Sequence, residues 1–173
     1  LFRSGKSICT DAQRASGNGL SSPQAVINPQ GQIEKLYAGD LRGNMWEFNS
    51  NGSDFTASKL FAAGAGHPIT VQPLVVEHDE KRGGHLVLFG TGKFNEVADK
   101  VDKTQQAFYA IWDQSNSAGT VQKSELQAQA ITNEFTESNE TYIETSENPV
   151  NWDAQRGWYL PLQYGSAQQG ERV

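Results

Sequence analysis

Residues 36–48 constrain the fold more than any other part of the chain. Two short stretches of β-forming residues flank a tight turn, and we place the bend at Gly43-Asn44 because both residue types tolerate a positive φ with little strain. Trp46 and Phe48 are two positions apart and therefore lie on one face of the second strand. The segment predicts a β-hairpin whose large rings pack against a neighbouring element, which is a structural role rather than a catalytic one.

Further short segments rich in β-branched and aromatic residues follow along the chain, separated by turn-forming residues. Pro73 places one of them at a sheet edge or a bulge, since proline donates no ladder hydrogen bond. We expect Asp113 to end another, and residues 1–24 to be loop with at most one strand around Ile8. A further segment, 124–131, also has a helix-favouring composition. Besides the hairpin, the predicted strands are 58–61, 69–78, 85–91, 107–112, 124–131, 141–145 and 157–162.

This succession of nine or ten short strands, without a long amphipathic helix, predicts an all-β fold of antiparallel sheets, either a sandwich or a β-propeller. A tryptophan just after a hairpin turn fits the periodic aromatic motifs of propeller blades. Blades take about 40 to 50 residues each, so the 173 residues would hold about three to four of them. Leu1 is not an initiator methionine. We therefore expect residues 1–173 to be part of a single propeller domain in a longer parent protein.

Charge and composition exclude several classes of function. The net charge is −6, and no cluster of lysine and arginine offers the phosphate contacts that dominate nucleic-acid binding. No apolar run approaches the roughly 18 residues of a membrane span. Cys9 is the single cysteine, so an internal disulfide and an all-cysteine metal cage are excluded.

The motifs that could carry chemistry are incomplete. Residues 90–93, Gly-Thr-Gly-Lys, lack the first glycine of a Walker A loop and the Ser or Thr after its lysine, so they predict a strand that ends in a turn. His67, His78 and His85 have no metal-ligand spacing. There is no nucleophile elbow and no cysteine–histidine pair. Two of the many acidic residues could meet in space, but no cleft motif supports a catalytic pair, and we predict no catalytic, cofactor or metal residue.

Asp40 and the tryptophans have simple structural interpretations. Asp40 stands at the hairpin turn, where a carboxylate that accepts backbone N–H bonds is a more economical explanation than a site residue. The indole rings, most of which lie in or beside predicted strands, are expected to pack between sheets rather than to stack on a ligand. These are Trp46, Trp112, Trp152 and Trp158.

Several segments, taken in order, resemble the C-terminal domain of PilC/PilY-type proteins. They are 19–23, 37–46, 68–70 with Pro73, 87–94, 108–113, 157–160 and 170–173. The resemblance implies a modified β-propeller in a large Gram-negative protein that acts without catalysis in type IV pilus assembly, pilus retraction control, twitching motility and surface adhesion. It implies the pilus tip or outer membrane as location, and pilin or minor pilin subunits, with a host surface receptor as a further candidate, as partners. The loops 95–104 and 133–152 are the candidate contact surfaces.

Members of this family often carry an EF-hand-like calcium loop just before the hairpin. At the matching positions here, Val26 replaces the first ligand, Asn28 follows, and Gln30 replaces an acidic ligand, while the turn glycine is kept as Gly31. Only Glu34 is charged. Because calcium affinity follows the number of carboxylate ligands, we predict no tight calcium binding at this loop.

Two alternative functions belong to other propeller proteins. One is an outer-membrane assembly scaffold, which composition does not distinguish from a pilus module. The other is a quinone-dependent dehydrogenase, because the hairpin also resembles repeats of those enzymes. Such enzymes typically carry a vicinal cysteine pair, which Cys9 alone does not supply.

Overall fold

The computed structural model describes residues 18–79, 81–114, 119–165, 170 and 172–173. Within these ranges the chain forms eleven β-strands and two short 3₁₀ turns, Val97–Lys100 and Lys123–Glu125, and no α-helix. No helix in this part of the chain is long and apolar enough to cross a bilayer. The strand suggested around Ile8, and Cys9, lie outside the described residues.

The first sheet is a four-stranded antiparallel meander in which each strand pairs with the next one along the chain. The predicted hairpin forms its two central strands, and short polar turns join all four. The strands are β1 (Gln24–Ile27), β2 (Ile33–Gly39), β3 (Asn44–Ser50) and β4 (Phe55–Ala62).

The second sheet combines consecutive strands with one from the end of the chain. The consecutive strands are β5 (Leu74–Glu77), β6 (His85–Gly90) and β7 (Ala107–Asp113). The last strand of the chain, Gly157–Pro161, pairs antiparallel with β7, and the two-residue strand β8 (Gln127–Ala128) pairs parallel with that last strand. Along the chain, residues 114–156 therefore form an interruption between the third and fourth antiparallel strands of this sheet, and they contribute β8 to it.

A separate two-stranded hairpin lies inside this interruption. It consists of β9 (Ile131–Glu137) and β10 (Glu140–Thr145), which pair only with each other among the described strands. The final strand, Gly157–Pro161, is thus β11. We call residues 131–145 the arm, and we call the two larger sheets together the body.

The main core fills the space between the two sheets of the body. Tyr37 and Met45 of the first sheet and Ile111 of the second are fully buried. The Phe61 and Tyr109 rings meet across the sheets, with centroids 4.9 Å apart. Burial of each large apolar side chain contributes roughly 1.5 to 3 kcal/mol. This face-to-face packing is the arrangement expected of two adjacent propeller blades.

A second cluster covers the opposite face of the first sheet. Ala38, Trp46 and Phe48 are buried there, because successive residues of a strand point to alternate faces and Tyr37 and Met45 already face the main core. The prediction that Trp46 and Phe48 share a face is confirmed.

The all-β prediction is confirmed, but several details differ. Gly43 adopts a φ of +78° at the bend, whereas Asn44 already starts β3. Of the segment 69–78 only Leu74–Glu77 is a strand, and it lies at a sheet edge, as Pro73 predicted. Strand β4 is longer than predicted. The segment 124–131 is divided between a 3₁₀ turn, β8 and the start of β9, because Glu125 caps a turn instead of extending a strand.

One agreement and one difference bear on function. Strand β7 ends at Asp113, as predicted, and the carboxylate of this last strand residue has buried partners. The interval 133–152, expected to be a surface loop apart from the predicted strand 141–145, contains most of the arm. Strand β10 confirms that predicted strand, whereas β9 was not predicted. The described residues form two large sheets rather than the three to four blades that length suggests, because the interruption 114–156 takes residues that the length argument assigns to blades.

Candidate functional site

The turn between β2 and β3 is organised around Asp40, which is fully buried. One carboxylate oxygen accepts the backbone N–H groups of Arg42 and Asn44, both at 2.9 Å. The other accepts the side-chain amides of Asn44 and Asn18, at 2.8 and 2.9 Å, and the indole N–H of Trp46 at 2.7 Å. The prediction that Asp40 caps the turn is confirmed, and its tie to Trp46 joins the turn to the second cluster.

The charge state of Asp40 follows from these contacts. Burial opposes ionisation, but the hydrogen bonds from Trp46, Asn44 and Asn18 outweigh it and lower the pKa of the Asp40 carboxyl. A carboxylate that is ionised and engaged by five donors has little capacity left to transfer a proton. Asp40 therefore acts as a structural anchor.

A second group of polar side chains is buried where the two sheets meet. The Lys35 ammonium of β2 donates to the Glu47 carboxylate of β3 and, at 2.6 Å, to the Asp113 carboxylate of β7. The Tyr37 hydroxyl donates to the same Asp113 oxygen at 2.5 Å. Ser58 adds a longer contact to Glu47, 3.3 Å. We call these residues the junction cluster, because Asp113 belongs to the second sheet and the other members belong to the first.

The pKa shifts in the junction cluster reinforce its charges. Burial works most strongly against the charges of Lys35 and Asp113, but their mutual hydrogen bond, together with the contacts and charges of the other cluster members, outweighs it. The pKa of Lys35 is therefore raised and that of Asp113 is lowered. Burial, together with the charge of Asp113, raises the pKa of the Tyr37 hydroxyl far above its usual range. A lysine held as an ammonium is a poor nucleophile, and a neutral phenol is a poor base. The cluster is therefore suited to joining sheets and not to catalysis.

An open cleft of about 670 Å³ lies beside the junction cluster, between the β1–β2 and β3–β4 turns. Asn28, Gln32 and Asn49 contribute amide groups to its walls, and Lys35 and His85 also line it. The Nδ1 atom of His85 is buried without a hydrogen-bond partner. Ile33 and Phe55 make part of the lining apolar, but about half of it is polar and it is mixed in charge. The cleft therefore lacks the predominantly apolar walls that mark a small-molecule site.

The loop that matches the family's calcium site closes on itself. Val26 is part of β1 and packs against the main core. The Asn28 side-chain oxygen accepts the backbone N–H groups of Gln30 and Gln32, at 3.0 and 2.8 Å. Glu34 lies in β2 with its side chain exposed. An asparagine oxygen thus organises the turn through backbone donors, and the absence of tight calcium binding stays a prediction.

The histidines do not form a common site. His78 is buried and packs against Trp112 and Trp152, with ring centroids 4.7 and 4.5 Å apart. His85 lies near Tyr37, with centroids 6.5 Å apart, and His67 belongs to a loop after β4. Across the described ranges, no three potential ligands among His, Cys, Asp and Glu come together as a metal site.

The glycine-rich segment 90–93 has a packing role. A Cβ atom at Gly90 would lie 2.0 Å from the Val173 side chain, and one at Gly92 would lie 2.7 Å from that of Arg172. The glycines therefore admit the C-terminal residues against the end of β6. The predicted end of the strand is confirmed at Gly90, but no turn follows directly, because Gly92 forms an isolated parallel bridge with Ile69.

The tryptophans occupy different settings. Trp46 lies in the second cluster, with the Lys59 ammonium 5.2 Å from its ring centre. Trp112 is buried and donates its indole N–H to the Gly83 carbonyl at 2.9 Å. Trp152 meets Trp112 edge-on, and Trp158 packs beside Phe108 with centroids 5.8 Å apart. Each ring that we expected to pack thus contacts protein side chains.

Comparison with known proteins identifies several relatives. The PilY1 beta-propeller domain family matches residues 50–146. The type IV pilus biogenesis factor PilY1 of Pseudomonas aeruginosa strain PAO1 is 33% identical over 90% of this chain, and a PilY1 homolog of Xylella fastidiosa strain Temecula1 is 30% identical over 94%. The chain spans only 17% and 12% of the lengths of those two relatives.

A solved structure matches as well. The crystal structure of the Pseudomonas aeruginosa PilY1 C-terminal domain superposes with a TM-score of 0.79 at 32% sequence identity. The match covers 94% of this chain and 42% of that domain. Similarity in sequence and in fold therefore extends over the same, nearly complete, part of the chain.

Proposed function

This chain belongs to the PilY1 family, and from that membership we propose that it is a non-catalytic module of the β-propeller of a type IV pilus biogenesis factor. The observation that carries the proposal is the match to the PilY1 C-terminal domain. Over 94% of the chain, the two share the fold, and their sequences are 32% identical. The relatives that match over nine-tenths of the chain are named as type IV pilus biogenesis factors.

The polar interior supports a role without catalysis. Three ionised groups with shifted pKa values, Asp40, Lys35 and Asp113, are each engaged by several partners. Perturbed groups at catalytic sites must stay accessible to a substrate, whereas these hold turns and sheets together. We therefore assign the chain a scaffold function, in which rigid sheets hold loops and the arm in fixed positions.

The finer parts of the proposal follow from the family. We propose that the parent protein acts at the pilus tip or outer membrane of a Gram-negative bacterium, where it contacts pilin or minor pilin subunits. Support for retraction control, twitching motility and adhesion comes from the resemblance set out in the sequence analysis. A host surface receptor is the candidate partner for adhesion.

The test uses the full-length parent in its bacterial host. Lys35→Ala should break the junction cluster, because Asp113 and Glu47 would remain buried without their cation. We expect fewer surface pili by electron microscopy and smaller twitching zones, at equal parent expression. The matched control is Lys103→Ala, which removes a positive charge from an exposed loop. Normal pili in cells whose Lys35→Ala protein is shown to be unfolded in this domain would overturn the proposal.

A further inference from the structure

Among the described residues, the arm is the most exposed element of secondary structure. All six residues of β10 are exposed, and so are five of the seven in β9. Its base is tied to the body through Gln129, whose backbone N–H donates to the Tyr159 carbonyl of β11 at 2.8 Å. Beyond that base, neither edge of the hairpin pairs with another described strand. The hairpin is therefore held mainly by its own contacts. Because isolated two-stranded hairpins are only marginally stable in water, we expect the arm to open more easily than the body.

One face of the arm presents stacked aromatic rings to solvent. Phe135 and Tyr142 are directly opposite in the register, with ring centroids 5.5 Å apart and planes 18° from parallel. They remain 38% and 42% exposed. Grouped exposed apolar side chains mark interaction surfaces, whereas single ones are common on any protein.

The same face carries three carboxylates. Glu137 lies directly opposite Glu140, next to the turn, and Glu144 lies farther along β10 on the side of Tyr142. Like charges directly opposite one another destabilise an antiparallel pair. Residues 131–145 contain four glutamates and no lysine or arginine, and none of the ion pairs found in the described structure involves them.

We propose that this face of the arm binds a cationic, extended segment of a partner protein. A lysine or arginine of that segment would place its ammonium or guanidinium group between Glu137 and Glu140. Its aliphatic stem would cover the Phe135 and Tyr142 rings, where a cation also interacts favourably with the π face. The inference deepens the proposed function. It rests on that function for one point only, namely that the partner is a pilus protein.

Charge complementarity selects this occupant over the alternatives. A second copy of the chain would place its own three glutamates against the three glutamates of this arm. The two would repel each other, and each chain carries a net charge of −6. Nucleic acid and anionic membrane surfaces are disfavoured for the same reason. A neutral apolar segment would cover the rings but would leave the three carboxylates without a cation.

The experiment measures binding of a labelled nine-residue peptide of alternating lysine and threonine to the full chain by fluorescence anisotropy. We expect saturable binding at low salt that weakens as ionic strength rises. The triple variant E137Q/E140Q/E144Q should weaken binding by about tenfold, since exposed ion pairs contribute up to about 1 kcal/mol each. Replacement of both rings, F135S/Y142S, should also weaken it, because the stacked surface is lost.

The matched control is E77Q/E134Q/E147Q, which changes the net charge equally but removes exposed glutamates outside this face. It should bind the peptide within about twofold of the unaltered chain. Equal weakening by the two triple variants, or no binding of the lysine peptide at all, would overturn the inference. Such a failure would leave the proposed function standing, because that function is tested by the pilus count of Lys35→Ala cells.

Discussion

The body and the arm use carboxylates in opposite ways. Inside the body, Asp40 accepts five hydrogen bonds and Asp113 accepts from both Lys35 and Tyr37. On the arm, carboxylates face one another across the hairpin in solvent, without a cation from the described residues. A buried charge must be paired to be tolerated, whereas an exposed charge can stay available for a partner. The body thus carries the stability of the chain, and the arm carries a surface.

The largest loss of stability is expected from a substitution in the body, at Trp46. Trp46→Ala should lower the free energy of unfolding by about 3 to 5 kcal/mol, because it leaves a cavity in the second cluster and removes a donor to Asp40. Urea unfolding of purified chain measures this. Trp46→Phe keeps most of the ring and loses only the donor, and it should cost about 1 to 3 kcal/mol. An unchanged stability together with lost adhesion would mark Trp46 as a binding residue instead.

A somewhat smaller effect is expected at the junction cluster. Lys35→Ala should cost about 3 kcal/mol, since it leaves two buried carboxylates without their cation. The same urea experiment on Lys103→Ala, an exposed position, should show a change below about 0.5 kcal/mol. If both variants unfold at the same urea concentration, the junction cluster does not hold the sheets together.

The acid dependence of stability sharpens the comparison further. The folded pKa of Asp113 lies below its ordinary value of 3.8, so its stabilising contribution is complete above that value and is lost as the pH falls through the folded pKa. Asp113→Asn should therefore flatten the decline in stability at pH values below about 4, measured by thermal unfolding. Asp40 has a lowered pKa too, so part of the slope should remain. A variant with the full slope of the parent chain would contradict the role of Asp113.

The arm should hardly affect the stability of the body. F135S/Y142S removes the stacked rings, but these rings lie on the exposed arm and outside the core clusters of the body, so the unfolding free energy of the body should change by less than about 0.5 kcal/mol. Thermal unfolding followed by the near-ultraviolet signal of the buried tryptophans measures this. A cooperative loss of several degrees would show that the arm is part of the body.

No effect at all is expected from calcium. With Glu34 as the only carboxylate among the loop positions 26, 28, 30 and 34, calorimetric titration should detect no micromolar binding. Calcium should leave the unfolding temperature of the chain unchanged. Micromolar binding that disappears in Glu34→Ala would refute this prediction.

Local features were predictable from the sequence. The hairpin turn needs a residue that tolerates positive φ, and Gly43 supplies it, while Asp40 stands where a side chain can accept turn N–H groups. The apolar runs that became β6 and β7 are continuous because both faces of these strands contact other parts of the protein.

Long-range features were not predictable. Lys35 and Asp113 are 78 residues apart, and no local pattern indicates that two sheets bring them together. Strand β10 agrees with the predicted strand 141–145, but β9 was not predicted, because polar residues stand on both of its faces. A signal was present, since Ser138 and Asn139 both adopt positive φ in a two-residue turn, and Asn is enriched at such turns between β-forming residues.

Native-state hydrogen exchange on the chain tests the central claim most directly, namely that a rigid body carries a weakly held arm. Backbone amides of Tyr37, Met45 and Ile111 should exchange only through global unfolding, because they belong to central, buried strands. Amides of residues 131–145 should exchange at least about a hundredfold faster, through local opening of the arm. Equal protection of the arm and the body would contradict the account.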